Sequence, residues 1–180
     1  MESPPRKWKT VLLKSLAVHG VFAVLHFSYD WFPNRIVGLF SGTSEAVFQH
    51  MKIGFYSYGL ISVIEGLLRR KKIDRMADFA FARLTSTVFY PWFMFILFYA
   101  PTAFYGKYQT NLAEIISANS VLFLNSICAI LLENELERIK LSREFMWMMA
   151  ILALILVSLY VIFSFQIPWF DVFAIPPGWE

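Results

Sequence analysis

Apolar residues along this chain collect into five long blocks separated by short charged connections. Uncharged stretches run for 15 residues between Lys14 and Asp30, 23 between Arg83 and Lys107, 18 between Glu114 and Glu133, and 26 between Glu144 and Asp171. A further 16 residues between Lys52 and Arg69 are broken only by Glu65. A helix needs about 20 mostly apolar residues to cross a hydrocarbon core of roughly 30 Å. The pattern therefore predicts an all-α, polytopic membrane helix bundle with about five transmembrane helices, over 9–30, 44–69, 76–100, 110–133 and 144–166. The first two spans reach full length only by taking in flanking polar residues. The fifth, FMWMMAILALILVSLYVIF, is almost wholly apolar and is expected to face lipid. Residues 167–180, with Trp169 and Trp179 among prolines, suit a tail at the membrane interface. The whole of 1–180 reads as one transmembrane domain. The first apolar run has no small-residue cleavage site after it, so an uncleaved span is expected rather than a signal peptide.

Composition agrees with the pattern: 58% of the 180 residues are hydrophobic, 18% are aromatic, and the mean hydropathy is +0.55. Charge adds an orientation. Twelve of the 16 Lys and Arg lie in the N-terminal segment (Arg6, Lys7, Lys9, Lys14), the second connection (Arg69, Arg70, Lys71, Lys72, Arg75) or the fourth (Arg138, Lys140, Arg143). Only Arg35, Lys52 and Lys107 belong to the other side, and Arg83 falls within a span. Positive residues concentrate on the cytoplasmic side, which places the N-terminus inside and the C-terminus outside a cell membrane crossed several times. The net charge of +3 then needs no nucleic-acid partner, because anionic headgroups and cytoplasmic loops account for it. The expected partners are the lipid bilayer and either a second copy of the chain or another membrane subunit. Cys128 is the single cysteine, which excludes an intrachain disulfide and a cysteine-based metal motif.

Candidate chemistry lies in the polar residues of the first four spans. Ser15, His19, Phe22, His26 and Tyr29 or Asp30 recur every three or four residues and so share a helix face. Helical rise from Lys14 and Arg69, taken as marks of the inner surface, puts His19 and Glu65 roughly 6 to 8 Å deep, and His26, Asp30 and His50 at roughly 18, 24 and 28 Å. Glu114, measured from Glu133, falls at roughly 28 Å. Two layers result. The inner holds His19, Glu65 and Arg83, with Glu65 expected to pair with His19 or Arg83. The outer holds His26, Tyr29, Asp30, Glu45, His50 and Glu114 as candidate ligand-binding residues. His19 and His26 are about 10 Å apart along a helix, too far to chelate one ion, whereas His26 with Asp30, or with His50, are the candidate metal ligands. No residue pattern names a cofactor.

The stretch SGTSEAVFQHMKIG, at the start of span two, is unusually polar for its place. Thr43 or Ser44 as N-cap, Glu45 in a first turn and Lys52 snorkelling to the interface account for most of it. His50 lies about 140° around the helix from Glu45 and is left to face other helices or a cavity.

The segment HFSYDWFPNRIVGLFSGTSEAVFQHMK, residues 26–52, followed by VIEGLLRRKK and FARL, resembles a family of prokaryotic multi-pass membrane proteins of unknown function. Its pattern runs His-x-x-Tyr-x-Trp, then Asn near Val-Gly-Leu-Phe-Ser, then Asn-Glu-Ser-x-Trp-Glu-His-Leu-Lys. His26, Tyr29, Trp31, Asn34, Glu45, His50 and Lys52 match it, while Ser44, Phe48 and Gln49 depart from it. Gln49 removes a carboxylate that would stand beside the histidine. The resemblance implies a membrane bundle and a polar site and carries no activity.

Three functions fit the residues. The outer layer forms an outward-facing pocket that binds or transports a small solute, ion or proton; or it is the centre of an intramembrane, metal-dependent enzyme acting on a lipid or lipid-linked substrate; or the polar residues specify helix pairing in an assembly subunit. No His-Glu-x-x-His helix and no nucleophile turn is present, so the sequence names no reaction.

Overall fold

A computed structural model describes residues 8–169 and 171–175. Arg6, Lys7 and Trp179, which entered the topology reading, lie outside them. Among the described residues six α-helices follow in order: α1 (Trp8–Trp31), α2 (Arg35–Phe40), α3 (Val47–Arg69), α4 (Met76–Tyr105), α5 (Asn111–Arg138) and α6 (Arg143–Phe163). Single 3-10 turns stand at Arg70–Lys72 and Asp171–Phe173. The five long helices occupy the five apolar blocks, and α2 is an addition the blocks did not predict. Four of them, α1, α4, α5 and α6, are long and apolar enough to cross a membrane. The 23-residue α3 is about 34 Å long but carries Gln49, His50, Lys52 and Glu65, which lower its hydropathy.

Local chemistry sets the helix ends. Pro33 forces Phe32 out of helical geometry and stops α1. Asn34 then caps α2, its Oδ1 accepting from the Val37 N–H at 3.0 Å. Thr110 caps α5 through the Ala113 N–H, and Ser142 caps α6 through the Phe145 N–H, both at 3.2 Å. Gly106, with φ of 79°, ends α4 in a conformation open to glycine. The expected cap of α3 is corrected: Ala46 holds that position without a side-chain bond, and Glu45 lies just before the helix.

Helices α1, α3, α4 and α5 form the core, and α6 leans on α4 and, through Tyr160 and Ser164, on Phe48 and Lys52 at the start of α3. Connections are short, so successive long helices alternate in direction, and the start of α1 meets the ends of α3 and α5. Gly54 lets α3 and α4 approach closely, because a Cβ there would come within 2.7 Å of the Tyr90 ring. Tyr58 and Tyr90 meet across that crossing with centroids 5.1 Å apart and ring planes tilted by 35°. An aromatic cluster of Phe48, Phe55 and Tyr160, joined by Phe163 and Phe173, holds α6. Elsewhere α6 is open, only Met149 and Tyr160 being buried along it, as its apolar sequence leads one to expect.

Candidate functional site

Three side chains converge at the end of the bundle where α1 finishes and α3 begins. His26 comes from α1, Glu45 from the segment that joins α2 to α3, and His50 from the first turn of α3. Glu45 stands between the imidazoles, with Oε1 3.6 Å from His26 Nε2 and Oε2 3.5 Å from His50 Nε2. One ligand atom from each residue falls within 4.8 Å of the others. The two rings lie 5.2 Å apart, and Phe22 stacks against both. The His50 Nδ1 is 3.1 Å from the Ala46 carbonyl, which can only accept, so Nδ1 carries the proton and Nε2 is the nitrogen turned toward Glu45.

The loop that presents Glu45 is fastened at several points. Lys52 is fully buried and donates to the Gly38 carbonyl of α2 and to Ser164 Oγ, both at 2.8 Å. The expected snorkelling lysine is therefore an internal pin, because two oxygens on separate elements enclose its ammonium. The Tyr29 ring packs beside Gly38, where a Cβ would sit 3.4 Å from it. His26, Tyr29, Asn34, Glu45, His50 and Lys52 thus all bear on one loop and its cluster, while Trp31 is exposed at the end of α1.

Beside the cluster is a cavity of about 350 Å³ between α1, α3, α4 and α5. His26, Glu45 and His50 give it a polar wall, joined by His19, Glu114 and Asn119. Phe22, Phe27, Met94, Phe98, Ile115 and Leu122 are among its apolar walls. Two placements differ from expectation. Asp30 is exposed and borders a second hollow of about 280 Å³ with His26, Thr43 and Glu45, so Glu45, and not Asp30, is the carboxylate shared by the histidines. His19 faces the cavity, its Nδ1 buried without a hydrogen-bond partner, and does not join Glu65.

The inner layer is an ion-pair network that draws on residues expected at the surface. Lys14 Nζ lies 2.8 Å from Glu65 Oε2 and 2.7 Å from Glu133 Oε2. Arg83 reaches Glu65 at 3.2 Å and also pairs with Glu137, and Arg69 reaches Glu65 at 2.6 Å. Tyr58 donates to Glu133 at 2.7 Å, and the Arg83 guanidinium lies 3.5 Å from the Phe79 ring centroid. Among the described residues Lys14, Arg69 and Arg83 face Glu65, Glu133 and Glu137 in this network, and such pairing is how charges persist in an apolar bundle. Of the pairings expected for Glu65, the structure has that with Arg83. Lys14 and Glu133 marked the surface only by position; both are buried because their partners sit on other helices. One signal was present, since Val11, Lys14, Ser15 and Val18 make a single helical stripe, the buried one.

Neither the curated proteins nor the solved structures contain a match to this chain. Residues 1–175 match a protein family described as a family of unknown function, DUF6512. With nearly its whole length covered and with helices apolar enough to span a bilayer, the chain belongs to this DUF6512 family and is a membrane protein.

Proposed function

We propose that the chain is a cell-membrane protein whose cavity, facing the outer leaflet, binds a small amphiphilic solute. The apolar part of the solute lies between Phe22, Met94, Phe98 and Leu122, and its polar end meets His26, Glu45 and His50. The observation that carries this reading is the mixed wall of the cavity: His26, Glu45 and His50 form one polar cluster in it, while Phe22, Phe27, Met94, Phe98, Ile115 and Leu122 supply apolar surface. The rim supports entry from lipid. Phe27 and Ile115, on α1 and α5, are 47% and 45% exposed and at this depth would face acyl chains rather than water. Binding is favoured over passage through the bundle, because Tyr58, Tyr90 and the Lys14 network fill the interior beyond the cavity.

Native mass spectrometry of the detergent-purified chain tests the reading. The wild-type protein is expected to retain one small amphiphile, and Ala118→Trp, which fills the cavity, to release it. Identical adducts on both proteins, or none on either, would contradict the proposal.

A further inference from the structure

The space between the two histidines and Glu45 has the dimensions and the chemistry of a cation site. Ligands about 2.05 Å from a tetrahedral zinc-like ion stand about 3.4 Å apart; Glu45 approaches His26 at 3.6 Å through Oε1 and His50 at 3.5 Å through Oε2, and one ligand atom from each residue falls within 4.8 Å of the others, so a small rotation of the side chains brings all three to one ion. Orientation gives a second, independent reason. With Nδ1–H committed to the Ala46 carbonyl, a neutral His50 leaves its unprotonated Nε2 3.5 Å from a carboxylate oxygen of Glu45. Two acceptors facing each other at 3.5 Å repel unless a proton or a cation lies between them. A backbone carbonyl holding the far nitrogen is also the arrangement that orients a metal-bound imidazole and raises its basicity.

We propose that His26, Glu45 and His50 bind a divalent first-row transition metal of the zinc type, leaving a fourth coordination position toward the cavity. Two imidazole nitrogens and one carboxylate oxygen select such an ion over calcium or magnesium, which take oxygen ligands. Three protein ligands with an open fourth place are the arrangement in which an ion meets a solute as a Lewis acid. The inference goes beyond amphiphile binding and does not need it, since the three side chains define the site by themselves.

The test uses the full chain in detergent, stripped with a chelator and titrated with cobalt(II). The expected result is the strong visible ligand-field absorption of four-coordinate cobalt, saturating at one ion per chain and displaced by zinc. His50→Ala and Glu45→Gln should each abolish it, while Asp30→Asn and Cys128→Ser keep it. Glu45→Gln is close to isosteric and lies outside the helices, so it decides the matter if His50→Ala fails to fold. Absorption no stronger than that of the aqueous ion, or undiminished in Glu45→Gln, would overturn the proposal. Ala118→Trp separates the two readings: it should lose the amphiphile and still give the cobalt spectrum.

Discussion

The ammonium of Lys52, with no exposed surface, is held 2.8 Å from the carbonyl of Gly38, so the third helix grips the short second helix from within. That bond fixes the ends of a loop whose far side carries Glu45. Lys52 touches neither histidine nor Glu45 in any hydrogen bond, and acts on the cluster through the loop.

Lys52→Met should therefore weaken cobalt binding by about tenfold, the low end of the loss seen when a group hydrogen-bonded to a metal ligand is removed, because Lys52 acts through the loop alone. It should also cost about 1 to 3 kcal/mol in denaturant unfolding, because a buried carbonyl loses its donor. Unchanged affinity in a folded Lys52→Met protein would show that the loop holds Glu45 without the lysine.

The inner network should matter to stability alone. Arg83→Gln leaves Glu65, Glu133 and Glu137 with one cation fewer in an apolar setting, and breaking such a pair costs about 3 to 5 kcal/mol. Lys107→Gln, at an exposed site, should change stability by less than about 0.5 kcal/mol. Equal unfolding midpoints for the two variants would count against a structural role for the network.

Gly54→Ala should cost about 1 to 3 kcal/mol, since its Cβ would lie 2.7 Å from Tyr90 and 2.9 Å from Met94. Gly20→Ala is the control, with nothing within 4 Å of an added Cβ. A chain in which both changes have the same effect would not have the close crossing of the third and fourth helices.

The sequence made the long helices legible because a bilayer demands uninterrupted apolar runs, and such runs survive in a linear reading. It also singled out His26 and His50, through a stripe and through an angle that capping could not absorb. The role of Glu45 was harder to read. A carboxylate just ahead of an apolar run looks like a partner of the helix dipole, and only the chain reversal through the second helix turns it toward the histidines. That helix, RIVGLF, has six residues and is too short to display a period of its own. Lys14, Glu133 and Lys52 misled for one reason: a charge near a helix end reads as surface unless its partners on other helices are known, and those partners are 51 to 119 positions away for Lys14.

Orientation is open to direct labelling. In a Cys128→Ser background, Lys71→Cys should react with a membrane-impermeant thiol reagent only when the cytoplasmic face is accessible, since the Arg70–Lys72 turn belongs to the positive side. Labelling from outside intact cells would invert the topology and turn the cavity toward the cytoplasm.

The central claim, that the cavity holds a distinct amphiphile, is tested most directly by photo-crosslinking from within it. A benzophenone amino acid in place of Phe98, on the cavity wall, should yield one discrete adduct mass, whereas the same group in place of Phe104, 83% exposed, should yield the mixture of bulk lipids. The same lipid mixture at both positions, or no adduct from position 98, would contradict the account.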